Sequence, residues 1–328
     1  MQKTLAVINL LAIRHNAELV RSHIGNRFFF AVVKADAYGH GAEQVALEIE
    51  DIVDGFCVAI VDEGIALRIA GVQKPILVLA PPLSYDDAEA LKYYNLLATV
   101  GDISSAKLAK GLACHVALNT GMNRYGCSLV DLTKLLKYIS PERICGVYSH
   151  LYAPENANSR EGQLKLFYEG ERVVKQYAPY AISHLAASAG ITLGSKFLFG
   201  GVRCGLALYG YAPKGFKIDG LKPALKVYAR LAQRTGFVKG GIGYNLADRE
   251  YKNLYTYRLG YADGFLRGVP LGEKTLCMDA FISQECKELM PVFTDADEYA
   301  QRCGTISYEV LCSVTQRSER VYERGFEV

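Results

Sequence analysis

Apolar and polar positions follow two rhythms along this chain. Through the first two thirds, short runs rich in β-branched and aromatic residues recur at 28–33, 55–60, 76–79, 96–99, 114–118, 145–149, 181–184 and 199–202, and these read as strands. Helical spacing fills the stretches between them. Leu129, Leu132, Leu135, Leu136 and Ile139 mark one amphipathic helix, and Leu164, Phe167, Val174 and Tyr177 mark another over 160–177. Strands alternating with helices predict an α/β fold with a parallel sheet. Eight such units in about 200 residues predict a closed (β/α)8 barrel of the TIM type, with an open doubly wound sheet as the other arrangement. After about residue 222 the rhythm changes. From Tyr228 onward the apolar segments are short and separated by glycine and aspartate turns, which predicts a second, mostly β domain of roughly 100 residues.

Composition narrows the function classes. Half of the 328 residues are apolar and 22% are charged, enough to fill a core and too few charges for disorder or a coiled coil. With 37 Lys and Arg against 34 Asp and Glu, the net charge of +3 offers no basic footprint for nucleic acid or an acidic membrane. The nine cysteines lie at least nine residues apart, so no C-x-x-C pair exists and neither a zinc ribbon nor a dithiol redox motif fits. Their odd number, scattered through apolar runs, suits a reducing compartment. Residues 5–13 imitate the start of a signal peptide, but Asn9 interrupts the run, Arg14-His15-Asn16 ends it, and there is no small-x-small cleavage site after it. A strand running into a helix is the reading there. No segment approaches the ~18 apolar residues of a transmembrane helix, so a cytoplasmic protein is expected.

In a (β/α)8 barrel, reactive groups sit where strands end and loops begin. The first strand, Phe28-Phe29-Phe30-Ala31-Val32-Val33, runs into Lys34. An ammonium there either reaches solvent at the rim or is desolvated, with a lowered pKa that suits Schiff-base chemistry. The residues around Lys34 favour the second reading. The stretch Ala31-Val32-Val33-Lys34-Ala35-Asp36-Ala37-Tyr38-Gly39-His40-Gly41, a tight loop after the strand, resembles the pyridoxal phosphate lysine signature of the alanine racemases. Ile8-Asn9-Leu10, Asn119-Thr120-Gly121-Met122-Asn123-Arg124-Tyr125-Gly126, Gly201-Val202-Arg203-Cys204-Gly205, Gly260-Tyr261-Ala262-Asp263-Gly264 and Cys277-Met278-Asp279 match further motifs of that family in the same order. The resemblance spans nearly the whole chain. It implies a barrel over 8–222 joined to a β-rich domain over 223–328 with residues 1–7, in a homodimer whose active sites are shared.

Carried over position by position, the resemblance implies that Lys34 holds pyridoxal 5'-phosphate as a Schiff base and is one of two catalytic bases. Tyr244 of the partner subunit would be the other, taking the α-proton of L-alanine while the lysine takes that of D-alanine. A tyrosine with a pKa near 10 needs positive charge or hydrogen bonds to act as a base, which Arg203 and His150 beside the cofactor ring would supply. Its other reading is a packing residue, one of 22 tyrosines. Arg203 falls at the pyridine nitrogen, where a guanidinium cannot accept a proton and leaves the ring a weaker electron sink, suited to proton exchange at Cα. Phosphate contacts fall to Tyr38, Ser188, the backbone of Gly205 and Leu206, and Tyr308; Ser188 also reads as a helix cap. Arg124 and the partner's Met278 would meet the substrate, and Tyr261 with Arg267 would narrow the mouth of the site. No metal is implied.

The chain departs from the family at several places. The usual brace lysine is Ala117, the acid two residues later is Asn119, the asparagine before the phosphate serine is Ala187, and Gln316-Arg317-Ser318-Glu319-Arg320 replaces an Arg-x-Pro-Arg run. These departures touch the substrate more than the cofactor. Alanine, supplying D-alanine for peptidoglycan, is the leading substrate, and serine or another small amino acid is the alternative. A decarboxylase prefers a carboxylate where this chain has Arg203. A non-catalytic pyridoxal phosphate carrier, built from a barrel alone, has no use for the β domain or for Tyr244.

Overall fold

The structure, a computed structural model, describes residues 4–269 and 275–324. Eight of the described strands form one parallel ring: Phe28–Val32, Gly55–Val58, Ile76–Val78, Ala98–Val100, Cys114–Ala117, Ile144–Tyr148, Ile182–His184 and Gly201–Cys204. The first pairs with the last, from Phe28↔Gly201 to Ala31↔Cys204. The third meets the fourth through the parallel bridge Leu77↔Leu97, where Val78 N–H donates to Leu97 O at 3.0 Å. This closure makes the sheet a (β/α)8 barrel and disposes of the open doubly wound arrangement. Strands covered on both faces read as continuous apolar runs, and Phe29, Phe30, Phe56, Val58, Ile76 and Leu77 are accordingly buried. Every strand lies within two residues of its expected place. The eighth starts at Gly201 rather than 199 because Phe199 takes a φ of +47° and turns the chain just before it.

Helices Leu129–Leu136 and Ala157–Tyr177 are capped by Ser128 Oγ and Asn156 Oδ1, which accept the amides of Asp131 and Ser159. The longer one buries Leu164, Phe167, Gly170 and Val174. A Cβ at Gly170 would lie 2.6 Å from the side chains of Leu118 and Leu129, so glycine sets how closely helix and barrel approach.

The chain divides into two compact units: Ile13–Ala37 with Ala42–Leu221, and the described residues of Met1–Ala12, Tyr38–Gly41 and Lys222–Val328. Residues 1–3, 270–274 and 325–328 of the expected β-rich domain lie outside the described residues. The second unit is built on a sheet ordered Thr275–Leu276, Phe281–Ser283, Leu254–Arg258, Leu225–Thr235, Leu5–Asn9 and Glu319–Glu323, with Leu289–Phe293 also on Leu225–Thr235. Leu5–Asn9 runs antiparallel to Leu225–Thr235 and parallel to Glu319–Glu323, so the first strand of the chain completes its last sheet. A separate hairpin, Val238–Ile242 with Asn245–Tyr251, turns through Gly243-Tyr244. Two short helices, Ala296–Cys303 and Ser307–Ser313, add to the expected strands; each buries only three residues, too few to show a helical period in sequence. No described helix is long and apolar enough to cross a membrane.

Candidate active site

Lys34 opens a left-handed turn, Lys34–Tyr38, in which Ala35, Asp36 and Ala37 have φ of 51°, 53° and 53° and Tyr38 has 50°. For L-residues this hand costs roughly 1–2 kcal/mol each, so neighbours must impose it. Ala35 N–H donates to Glu63 Oε1 at 2.7 Å, Ala37 N–H to Val33 O at 2.8 Å, and Ala42 N–H to Asp36 Oδ1 at 2.8 Å. Glu63 is held in turn by Ala59 N–H at 2.6 Å. The expected tight loop is therefore a strained one. Glu63, which pins the residue next to Lys34, is legible in the sequence only as an acid in the first turn of a helix.

Arg203 stands on the neighbouring strand, in register with Phe30 and only 4% exposed. Its Nη1 donates to His184 O and His184 Nδ1, both at 2.8 Å. Its Nη2 donates to Ser149 O at 2.5 Å and, at 3.4 Å, to Leu185 O and His150 Nδ1. None of these partners is a carboxylate. The guanidinium also lies 4.9 Å from the centre of the Tyr148 ring. Burial pulls its pKa down, but an arginine keeps its charge.

Because an arginine can only donate, His184 Nδ1 accepts, which leaves His184 Nε2–H to donate to His115 Nδ1 at 2.8 Å. Burial first, and the charge of Arg203 second, hold His115 down to about 3 and push His184 well below its ordinary range. Neither residue appears among the sequence candidates, since each is a lone histidine inside an apolar run. His150 is held down to about 3 by burial and then by the charges of Arg203, Arg124 and Lys34. Three cations acting on one imidazole make this end of the barrel electropositive, a setting for an anionic ligand.

Two short turns, Ala189–Thr192 and Leu206–Tyr209, come after the seventh and eighth strands. Ser188 Oγ joins them, accepting Gly205 N–H at 3.3 Å and Ala207 N–H at 3.2 Å. It makes no capping bond to its own turn, so the cap reading fails: the hydroxyl oxygen accepts from the neighbouring loop instead. Leu206 N–H has no acceptor among the described residues. A hydroxyl and a backbone amide on the last two loops of such a barrel are suited to a phosphate group.

Arg124 is exposed, its guanidinium 5.6 Å from the centre of the Tyr125 ring. Ala117 is buried and offers it no brace. Asn119 orders the loop instead: Oδ1 accepts Gly121 N–H at 3.0 Å and Asn123 N–H at 3.2 Å, and Nδ2 donates to Asn123 Oδ1 at 3.0 Å. These bonds hold Asn123 at a φ of +56°, directly before Arg124. Buried Gln163, absent from the sequence candidates, ties this loop to the next by donating to Thr120 Oγ1 at 3.0 Å and His150 O at 2.9 Å.

The other candidates lie in the second unit. Buried Tyr38 meets Tyr308 with ring centres 5.8 Å apart. Tyr261 N–H donates to Cys277 O and Ala262 N–H to Met278 O, each at 3.0 Å, which brings Tyr261 and Met278 together. Tyr244, at the hairpin tip, is 69% exposed, and Arg267 places its guanidinium 5.7 Å from that ring. Lys34, Arg124, His150, Ser188, Arg203, Gly205 and Leu206 belong to the barrel unit, at and beyond the carboxyl ends of its strands. No group of His, Cys, Asp and Glu with metal-binding geometry occurs among the described residues.

A family model for the alanine racemase N-terminal domain matches residues 8–213. The chain is 31% identical to an alanine racemase of Streptococcus equi subsp. equi, over 97% of this chain and 98% of that one. Among solved structures, the alanine racemase of Clostridium difficile 630 shares its fold with a TM-score of 0.87 and 27% identity, over 99% of this chain and 97% of the other. That of Bartonella henselae, with covalently bound pyridoxal phosphate, gives 0.83 and 26%, over 98% and 100%. The likeness runs through both units from end to end, and the chain belongs to the alanine racemase family.

Proposed function

We propose that this chain is a pyridoxal phosphate-dependent racemase that interconverts L- and D-alanine, as a homodimer with shared active sites. The arrangement around Arg203 carries the reading: a buried cation beside the strand that leads into Lys34, with the Ser188 hydroxyl and the Leu206 amide on the last two barrel loops. These residues fit the cofactor. Lys34 would hold it covalently, and Ser188, the amides of Gly205 and Leu206, Tyr38 and Tyr308 would hold its phosphate. Arg203 would face its ring nitrogen, with His150 beside the ring. When bound, pyridoxal phosphate supplies the electron sink that acidifies the Cα–H of an amino acid.

The protein's own part is to move that proton on two faces. Arg203 donates and cannot accept, so it would leave the ring nitrogen unprotonated and the sink weak, which would suit reversible exchange at Cα. Neutral His184, its tautomer set by Arg203, keeps the guanidinium oriented. Lys34 serves one face of Cα and Tyr244 of the partner subunit the other. Support for a donated tyrosine comes from the hairpin: two strands alone are marginal in water, and its tip presents Tyr244 to solvent. Arg124 would orient the substrate side of the cofactor. Met278 N–H, without an acceptor among the described residues, would take the substrate carboxylate in the partner subunit's site, while Tyr261 and Arg267 would limit side-chain size. The product D-alanine would serve peptidoglycan synthesis.

Borohydride reduction of the holoenzyme should fix the cofactor on the Lys34 peptide, read by mass spectrometry, and a chiral assay should show alanine interconverted. Lys34→Ala should lose both. Label on another lysine would overturn the assignment, and turnover of serine without alanine would overturn the substrate.

A further inference from the structure

Tyr261 and Met278 sit on two turns that touch backbone to backbone. A Cβ on Gly260 would lie 2.0 Å from Met278 O, and one on Gly264, whose φ is +94°, would lie 2.0 Å from Ser313 O. The Gly260 contact and the two backbone hydrogen bonds from Tyr261 and Ala262 hold the turns close, and side chains clasp them further. Asp263 comes from the first turn and is buried; its Oδ2 accepts Gly260 N–H at 2.7 Å. Asp279 comes from the second turn and is exposed. Arg317, between the last helix and the last strand, reaches both. Its Nη1 donates to Asp279 Oδ1 at 2.8 Å, and its Nε lies 3.5 Å from Asp263 Oδ1.

We infer that Arg317 is a positioning residue for substrate binding, locking the turn that carries Tyr261 to the turn that carries Met278 through Asp263 and Asp279. The inference rests on the proposed function, in which the Met278 amide meets the substrate carboxylate. A planar fork with five donors can serve two carboxylates on different turns, and a lysine can serve only one well. Arg317 and Asp279 are half or more exposed, so these ion pairs add little to stability. Their effect is geometric. A misplaced turn moves the carboxylate donor and the size-limiting tyrosine together, so the loss appears in substrate affinity.

The test uses holoenzyme of wild type, Arg317→Gln, Arg317→Lys and Asp279→Asn. Arg317→Gln should raise KM for both alanine enantiomers about tenfold, with kcat within about threefold. Propionate, which offers the carboxylate without the amine, should lose inhibitory strength by a similar factor. Arg317→Lys should recover part of the loss, and Asp279→Asn should show a smaller one. Melting temperature and the cofactor's absorption should hold in all four. An Arg317→Gln enzyme that folds and keeps its KM and propionate inhibition within about twofold would overturn the inference, as would Asp279→Asn with no effect if the first variant does not fold. A wild type that binds propionate in an Arg317-dependent way without racemising alanine would support the positioning role and overturn the functional reading alone.

Discussion

Arg203 and Arg317 both order other residues, but their surroundings differ. Arg203 is buried in the barrel and donates only to carbonyls and neutral histidines, while Arg317 is half exposed and faces two carboxylates. A buried cation without an acid beside it is tolerable only where fixed acceptors surround it, and strand register supplies them. That arrangement leaves the charge of Arg203 uncancelled for a bound ligand. Arg317 spends its charge within its own unit, at little cost or gain in stability. The barrel end is thus preorganised by burial, and the second unit presents its residues at the surface. Tyr244 and Met278 share the second pattern, each more than half exposed.

Three experiments sharpen this contrast. Tyr244→Phe should have the largest effect, and on rate alone. Losing a positioned base should lower racemisation by about 10²–10⁴-fold, while an exposed hydroxyl should change stability by less than about 0.5 kcal/mol. The loss should also be handed: solvent deuterium should still exchange into D-alanine, through Lys34, far better than into L-alanine. Near wild-type exchange from both enantiomers would make Tyr244 a packing residue.

The barrel should answer to pH. His115, held down to about 3, stays unprotonated in the folded chain over a range where an unfolded histidine, with its pKa near 6.5, is charged. The unfolded state therefore binds more protons below pH 6.5, and stability, complete above that value, falls as pH drops toward 3. At about pH 5 the loss from His115 alone is about 2 kcal/mol, and His184 acts in the same direction. Urea unfolding of the cofactor-free chain between about pH 7.5 and about pH 5 measures it; a flat profile would mean that the rings take up protons in the fold as readily as in the unfolded chain.

Asn119→Ala should have the smallest effect, about 0.5–2 kcal/mol, the usual cost of losing a side-chain acceptor for loop amides. Asn119→Asp keeps both acceptor bonds and loses only the donor to Asn123, so its melting temperature should fall between those of alanine and wild type. If alanine melts as wild type does, Asn119 does not order the Arg124 loop.

Residue type and period along the chain were enough to settle the eight barrel strands, because burial on both faces leaves an unbroken apolar signature in each. They also marked the lysine at the end of the first strand, the glycine-flanked Arg203 and the motifs that disclose the family. The tertiary structure alone decided what those residues lean on. The left-handed turn after Lys34 has no local signal, since alanine does not favour that hand, and it exists because Glu63, 28 positions on, takes the amide of Ala35. His115 and His184 are 69 positions apart and become a hydrogen-bonded pair only inside the closed barrel. Arg317 meets Asp279 from 38 positions away. A sequence carries its backbone periods and its reactive side chains locally, but a buried charge or a strained turn is balanced by partners that only closure of the barrel and pairing of the sheet bring within hydrogen-bond reach.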